Sequence, residues 1–479
     1  MNPRMKLLAL VLALFGAVRL SGAAADAPRL FRAGAATSNI TPELTVVLDG
    51  PIMQIGPGKH VHDELHARCL VLDDGATRIA FAICDSTMIA TDVVERAKRL
   101  VQTATGLPPD RVLISATHTH SSPRTVELGL GEANRRYADF LAQRIADGIQ
   151  RANHQLAPAK IGWGSGQKPE FVFNRRWFVK PEKAVASPFG GPPEKVAMNP
   201  DRAAVDRPAG PVDPEVFVVS LQHADGRPLA VLANYGMHYA GGVPAGQISA
   251  DYFGAFADRI QQLLGADRQD PPFVGLMANG TCGDVNSADL SKPARPQPPY
   301  ARVREVADGV AQEVLRVVHG IRHLDWVPLA ARTVVLDLGV RRPDAARLAW
   351  AQKLAGGAGP AQRLSRPAIY ARETLELEKY PSTVPITLQA FRVGGLGIGA
   401  APSEVFAETG LAIKRQSPFK STFTIELANG YGGYLPTPQQ HEWGGYETWA
   451  ARSSFLEVGA EPKIRAGILE LLRKLADGG

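Results

Sequence analysis

The chain has 479 residues, of which 45% are hydrophobic and 21% charged. Those are globular values, and they exclude a wholly disordered, collagenous or coiled-coil chain. The formal net charge of +6 is small for this length and no basic block stands out, which excludes the electrostatic footprint of a nucleic-acid binder.

The chain opens on Arg4 and Lys6, followed by an apolar run from Leu7 to Val18 that is too short to cross a bilayer about 30 Å thick. Small residues from Ser21 to Ala25 offer cleavage after Ala23 or Ala25, so residues 1–25 read as a secretory signal peptide. An uncleaved anchor is the other reading, because Arg19 lies in the cleavage region. Export to a periplasmic or extracellular space is the expectation. Cys69, Cys84 and Cys282 then allow one disulfide at most, and there is no CxxC metal pattern.

Runs rich in β-branched residues predict strands at Arg78–Cys84, Arg111–Ala116, Val216–Leu221, Leu229–Asn234, Phe273–Met277, Thr333–Leu338, Ile386–Val393 and Thr422–Leu427. Helical periodicity predicts helices at Asp92–Thr103, Ala133–Asn153, Tyr252–Leu264, Val303–Val318, Ala345–Lys353, Glu404–Lys414 and Pro462–Leu475. Strands and helices alternate, which predicts an α/β (mixed α+β) chain around a mixed sheet. Lys180–Pro214 and Leu290–Tyr300 are proline-rich and aperiodic, and read as long shaped loops. Val340–Pro381 reads as a polar helical insertion between two strands.

The segment Arg111–Pro123, RVLISATHTHSSP, carries the most pointed chemistry. If the strand runs on through Thr117-His118-Thr119-His120, both imidazoles leave it on one side, as a strand has a side-chain period of two. Two surface histidines would look the same. His238 also follows an apolar strand, where a core histidine bonded to backbone is the alternative. His62 and His66 sit in a polar stretch and read as solvated. Zinc takes four ligands, and a catalytic site leaves one position for water, so two histidines call for an oxygen donor. Glu404 is a candidate, although an acid at a helix start is common. Tyr431 and Tyr434 lie in a glycine-rich turn. Phe273–Val285 ends in a turn where Gly280, Gly283 and Asp284 could turn backbone N–H groups toward a ligand, with a plain tight turn as the alternative the sequence favours. Cys282 invites a nucleophile reading, but no histidine neighbours it in sequence. There is no GxSxG, Walker A or HExxH motif.

In their order, these segments resemble the catalytic domain of the neutral (neutral/alkaline, non-lysosomal) ceramidases. The resemblance rests on SNITPE (Ser38–Glu43), HARC (His66–Cys69), LISATHTHSSP (Leu113–Pro123), FNRR (Phe173–Arg176) and NYGMHYA (Asn234–Ala240). It continues through SADYFGA (Ser249–Ala255), NGTCGDVN (Asn279–Asn286), APSEVFAETG (Ala401–Gly410) and NGYGGY with the later GYE (Asn429–Glu447). It covers nearly all of residues 26–479, and ATHTHSSP is its most specific element.

The resemblance implies one catalytic zinc ion held by His118, His238, Glu404 and Tyr434. It implies that His120 is the acid/base or substrate-orienting partner, and that Arg175 and Tyr446 contact substrate and the developing oxyanion. The family turn reads GDVSPN where this chain has Gly283, Asp284 and then Asn286, so Asn286 replaces a serine. A zinc–water mechanism survives that change. A serine-nucleophile mechanism requires Ser287 to move in. The implied activity is cleavage of an N-acyl amide bond in ceramide or a ceramide-like lipid, with peripheral contact to membrane lipid and no nucleic-acid partner. A different N-acyl or ester substrate, or a non-catalytic binding protein on the same fold, are the other readings. The chain ends at Gly479, so the expectation is one large catalytic domain without the family's C-terminal immunoglobulin-like domain.

Overall fold

The computed structural model describes residues 29–49, 54–126, 132–355 and 364–478. Residues 1–25, read from the sequence as a signal peptide, lie outside the described residues.

Eight strands form the first sheet: β1 (Arg32–Asn39), β2 (His66–Asp73), β3 (Arg78–Cys84), β4 (Val112–Ala116), β5 (Ala157–Gln167), β6 (Glu215–His223), β7 (Pro228–Tyr235) and β8 (Val274–Asn279). Their order across the sheet is β8-β7-β6-β5-β1-β2-β3-β4. The outer pair at each edge, β3/β4 and β7/β8, is parallel, and the pairs between are antiparallel. Parallel neighbours need a crossover. Helix α1 (Thr91–Thr105) links β3 to β4 and, after α2 (Glu132–His154), helix α3 (Asp251–Leu263) lies between β7 and β8.

Alternation along the strands divides the core. Ala67, Cys69 and Val71 of β2, with Ala80, Ala82 and Cys84 of β3, pack on α1 and α2. The intervening Leu70, Leu72, Ile79, Phe81 and Ile83 face the other way, toward a second sheet. Toward the β8 edge, the helix-side layer is continued by α3 and α4 (Ala301–Gly320).

The later strands are β9 (Leu329–Gly339), β10 (Thr383–Val393), β11 (Leu396–Ala400), β12 (Glu404–Val405), β13 (Ser421–Ile425) and β14 (Tyr434–Leu435). The second sheet has the order β9-β10-β11-β13, and β12 pairs with β14 separately. Phe81 meets Phe391 and Phe217 meets Phe423 across the two sheets, each with ring centroids 4.9 Å apart. Such contacts are worth about 0.5–1.5 kcal/mol beyond the area they bury. Helices α5 (Ala345–Ala355) and α6 (Arg366–Glu378) form the insertion between β9 and β10, and α7 (Ala407–Gln416) and α8 (Pro438–Trp443) follow β12 and β14. Helix α9 (Ala460–Asp477) covers the outer face of the second sheet through Ile464, Ile468 and Leu472. The architecture is four layers: helices, sheet, sheet, helices.

The mixed α/β class and the helical insertion agree with the sequence reading. Strands β1, β2 and β5 of the first sheet have no counterpart in it. Strand β5 is rich in glycine because helix-side backbone crowds it: a Cβ on Gly162 would lie 2.7 Å from the Arg322 carbonyl. His66, read as a solvated loop residue, instead opens β2, where its N–H donates to Asp85 Oδ2 at 2.9 Å. The aperiodic Lys180–Pro214 stretch contributes Val196–Met198 and Val205–Pro208, which flank Arg176–Val179 in a small antiparallel sheet. All three cysteines are buried and free. Among the described residues, no helix is long and apolar enough to cross a membrane.

Candidate metal centre

Strand ends converge at one end of the sandwich. His118 follows β4, His238 follows β7, Cys282 follows β8, Glu404 follows β11 and Glu426 follows β13. Open α/β sheets present their ligand sites beyond the carboxyl ends of strands for this reason. The two sheets are tied there by backbone: Ala116 N–H donates to Leu427 O at 3.1 Å and Asn429 N–H to Ile114 O at 2.7 Å.

His118 is fully buried, and its Nδ1 lies 2.6 Å from the Thr87 carbonyl. A carbonyl only accepts, so Nδ1 carries the proton and Nε2 faces the site with a lone pair. His238 is oriented in the same way, with Nδ1 3.1 Å from the Cys282 carbonyl. The Nε2 atoms of His118 and His238 are 3.0 Å apart, and His120 Nε2 is 3.2 Å from His118 Nε2. Burial first, then neighbouring His118 and Arg175, hold His120 well below the ordinary imidazole range. Burial, Arg175 and the other two imidazoles do the same to His238. Both rings are therefore neutral near pH 7, the state a metal requires.

The strand does not run through the motif as the sequence suggests. It ends at Ala116, and His118 has φ of 71°, in the left-handed region. A non-glycine residue there is strained, by about 1–3 kcal/mol in general. Two backbone bonds hold the turn: Thr117 N–H donates to Cys84 O and His118 N–H to Ser86 O, each at 2.9 Å. The two imidazoles still converge, but through a turn rather than through a strand period.

Glu404 was expected at a helix start, yet it lies in β12, and the helix begins three residues later at Ala407. Its carboxylate is fully buried. Tyr431 OH donates to Oε1 at 3.1 Å, whereas Oε2 has no hydrogen-bond partner among the described residues and stands 3.3 Å from His118 Nε2 and 3.8 Å from His238 Nε2. The Nε2 lone pairs of His118 and His238 and the Glu404 Oε2 thus face one point, with His120 Nε2 beside them. Acceptors this close repel each other unless a cation sits between them. Ligands at about 2.0–2.1 Å around a tetrahedral ion stand roughly 3.3 Å from one another, and the spacings here bracket that value. The residues fit a metal ion.

Tyr434 faces Glu404 in register across the β12/β14 pair. Burial and the nearby Glu404 carboxylate push its phenol well above the ordinary range. The Arg175 guanidinium lies 5.3 Å from the centre of the Tyr434 ring, and the Tyr446 ring is 5.7 Å from that of Tyr434. Arg175 Nη1 reaches His238 Nε2 at 3.1 Å, its Nε donates to Glu447 Oε1 at 2.9 Å, and its buried Nη2 has no hydrogen-bond partner among the described residues. Burial opposes the charge of Arg175, but Tyr434, Glu447 and Glu404 more than offset it and keep the group cationic. Glu447 also accepts from Arg176 Nη1 at 2.6 Å.

No family model matches the chain. Neutral ceramidase B of Dictyostelium discoideum is 25% identical over 201 residues, which make up 39% of this chain and a quarter, 25%, of that relative's length. Two solved structures superpose on 94% of the chain at 18% identity. A ceramidase complexed with C2 matches with a TM-score of 0.70 over 76% of its length, and the neutral ceramidase from Pseudomonas aeruginosa with 0.71 over 75%. The fold is that of the neutral ceramidases.

On this neutral-ceramidase fold, the turn after β8 is packed as scaffold, the plain tight turn that the sequence also allowed. Gly283 N–H donates to Val405 O at 2.8 Å, and a Cβ at Gly283 would collide with the Glu404 carbonyl. Asp284 is buried, accepting from Asn174 Nδ2 and from Ala407 N–H, each at 2.8 Å, and so caps α7. Asn286 bonds to Asn199 Oδ1 at 2.6 Å and accepts from Ala288 N–H at 3.0 Å, and Ser287 OH donates to Ala240 O at 3.0 Å. Neither the Asn286 nor the Ser287 side chain is directed at the imidazoles. Cys282 is buried, its thiol donates to Glu426 Oε1 at 2.9 Å and lies 3.4 Å from His238 Nδ1, and burial drives its pKa well above the ordinary thiol range, which disfavours the thiolate a nucleophile needs.

Burial raises Asp284 to about 6 from an ordinary 3.8. The ionised carboxylate is therefore disfavoured in the folded state, and its cost appears as pH rises through that interval. Asp284→Asn is expected to gain most relative to the parent above pH 6, with the gain shrinking as pH falls toward 4. Thermal midpoints of the two proteins across that range check this.

Sequence reasoning assigned no role to Thr87, Tyr239, Glu426 or Glu447. Tyr239 stacks on His120 at 4.1 Å and 23°. Its only sequence signal was its place beside His238. Glu447 had a weaker one, lying next to Tyr446.

Proposed function

We propose that this chain is an exported, zinc-dependent amidohydrolase that cleaves the N-acyl bond of ceramide or a ceramide-like lipid. The observation that carries the reading is the buried cluster of acceptors, with Glu404 Oε2 lacking any donor and facing two imidazoles. The names of the relatives, which act on this lipid class, support the choice of substrate.

His118, His238 and Glu404 would hold the ion, with Tyr434 as the fourth ligand. Zinc supplies Lewis acidity and an activated water when bound. Arg175 Nη2, the unpartnered donor, receives the charge that develops on the amide oxygen, and Tyr446 joins it from the rim of the site. His120 is neutral, so it can take a proton from the nucleophile and deliver it to the leaving amine, a role worth about 10²–10⁴ in rate. Tyr239 keeps that ring in place. Asn286 takes no part in bond breaking, so its replacement of the family serine leaves the chemistry intact.

The test is a substrate panel on chelator-treated protein before and after zinc addition. Zinc should restore release of fatty acid from N-acyl sphingosines, and less so from short N-acyl amines. Zinc-loaded protein that cleaves esters and no amide would sink the proposal, as would turnover indifferent to the metal.

A further inference from the structure

Glu426 is fully buried next to the metal centre and is no part of the ligand set proposed above. Its carboxyl joins two separate segments. Oε2 accepts from Cys282 N–H at 3.2 Å and from Val405 N–H at 2.8 Å, while Oε1 accepts from the Cys282 thiol at 2.9 Å. Each of those partners adjoins a metal-facing residue. Cys282 O takes the Nδ1 proton of His238, and Val405 directly follows Glu404. Glu426 is itself anchored, because its N–H donates to Asn279 O at 3.3 Å, at the end of β8. The Gly283 N–H to Val405 O bond closes the same junction from the other side.

A carboxyl removed from water without a cationic partner is costly, and the groups acting on Glu426 are Cys282, Val405 and the like-charged Glu404. An apolar side chain there would avoid the cost but leave two buried N–H groups and a thiol without their acceptor. What the carboxyl provides is a rigid tie between the loop that orients His238 and the strand that presents Glu404. We infer that Glu426, with Cys282, is a positioning pair that sets the distance between the His238 and Glu404 ligands and thereby the affinity for the metal. Partners that orient metal ligands typically change affinity by about 10–100-fold when removed. The inference rests on the reading that His118, His238 and Glu404 hold a divalent ion.

The experiment compares zinc affinity, by competition with a chromophoric chelator, in the full chain and in Glu426→Leu, Glu426→Gln and Cys282→Ala. Metal-free melting and circular dichroism report whether each variant keeps its fold. Glu426→Leu should bind zinc about 10–100-fold more weakly. Glu426→Gln keeps an oxygen for both N–H donors and should stay close to the parent. Wild-type affinity in a folded Glu426→Leu protein overturns the inference, and so does an equal loss in Glu426→Gln. If Glu426→Leu does not fold, Glu426→Ala, which removes the acceptor without adding bulk, decides by the same criterion. Cys282→Ala keeps both backbone bonds and should stay close to the parent, and a loss there equal to that of the Glu426 variants would assign the effect to the thiol beside His238 Nδ1, 3.4 Å away, and overturn the inference. A parent chain that binds no zinc overturns the metal reading itself, an outcome distinct from the others.

Discussion

His118→Ala is expected to abolish both stable zinc binding and amide turnover while leaving the fold in place. The imidazole is the hub of the cluster: its Nε2 is 3.0 Å from His238, 3.2 Å from His120 and 3.3 Å from Glu404. Lewis acidity is worth several kcal/mol, or roughly 10²–10⁴ in rate. The fold should tolerate the loss, because removing one of several closely spaced acceptors relieves a crowded site. Alanine also keeps the backbone bonds that hold the turn at φ 71°. The sharpest measurement is melting with and without zinc. A ligand at 100 times its Kd stabilises the parent by about 2.7 kcal/mol, and that increment should vanish in the variant. Glu404→Gln is the companion test. It can still accept from Tyr431 and fills the same space, but it removes the anionic oxygen that lacks a donor. A His118→Ala protein that retains full zinc and full turnover would end the scheme.

The parts of the site legible in the sequence are those where a strand runs directly into an unusual residue. ATHTHSSP after β4 and the histidine after β7 both declared themselves this way, and both reach the cluster. Glu404 was legible as a candidate but not in its setting, because a two-residue strand leaves no periodic trace. Residues that act through distant partners were invisible. Arg175 meets Glu447 across 272 positions, and Cys282 meets Glu426 across 144. No local pattern encodes such pairs, since only the packing of the two sheets brings them together. The missed strands have a different cause. β1 and β5 are built of small residues because helices and loops press on them, so their sequences lack the bulky β-branched signal. Glycine at 283 has a related cause: a Cβ there would collide with the Glu404 backbone against it.

Arg175→Leu should leave zinc in place and reduce kcat by about 10²–10³-fold, the usual effect of losing one preorganised oxyanion donor. The guanidinium is held on two sides, by Glu447 at Nε and by His238 at Nη1, and presents Nη2 with no partner of its own. A donor fixed before the reaction needs no reorganisation when charge develops on the amide oxygen. Removing one partner of a buried ion pair often destabilises by about 3–5 kcal/mol. Here the damage is contained, because Arg176 Nη1 still meets Glu447 Oε2 at 2.6 Å and is itself held by Gln440. Zinc affinity should hold or rise slightly, since Arg175 no longer competes with the ion for the His238 lone pair. Arg175→Lys should recover only part of the rate, because an ammonium cannot bond Glu447 and the substrate oxygen with one planar fork. A variant with parental kcat and raised KM would instead assign Arg175 to ground-state binding, and the oxyanion would need another donor, with Tyr446 next in line.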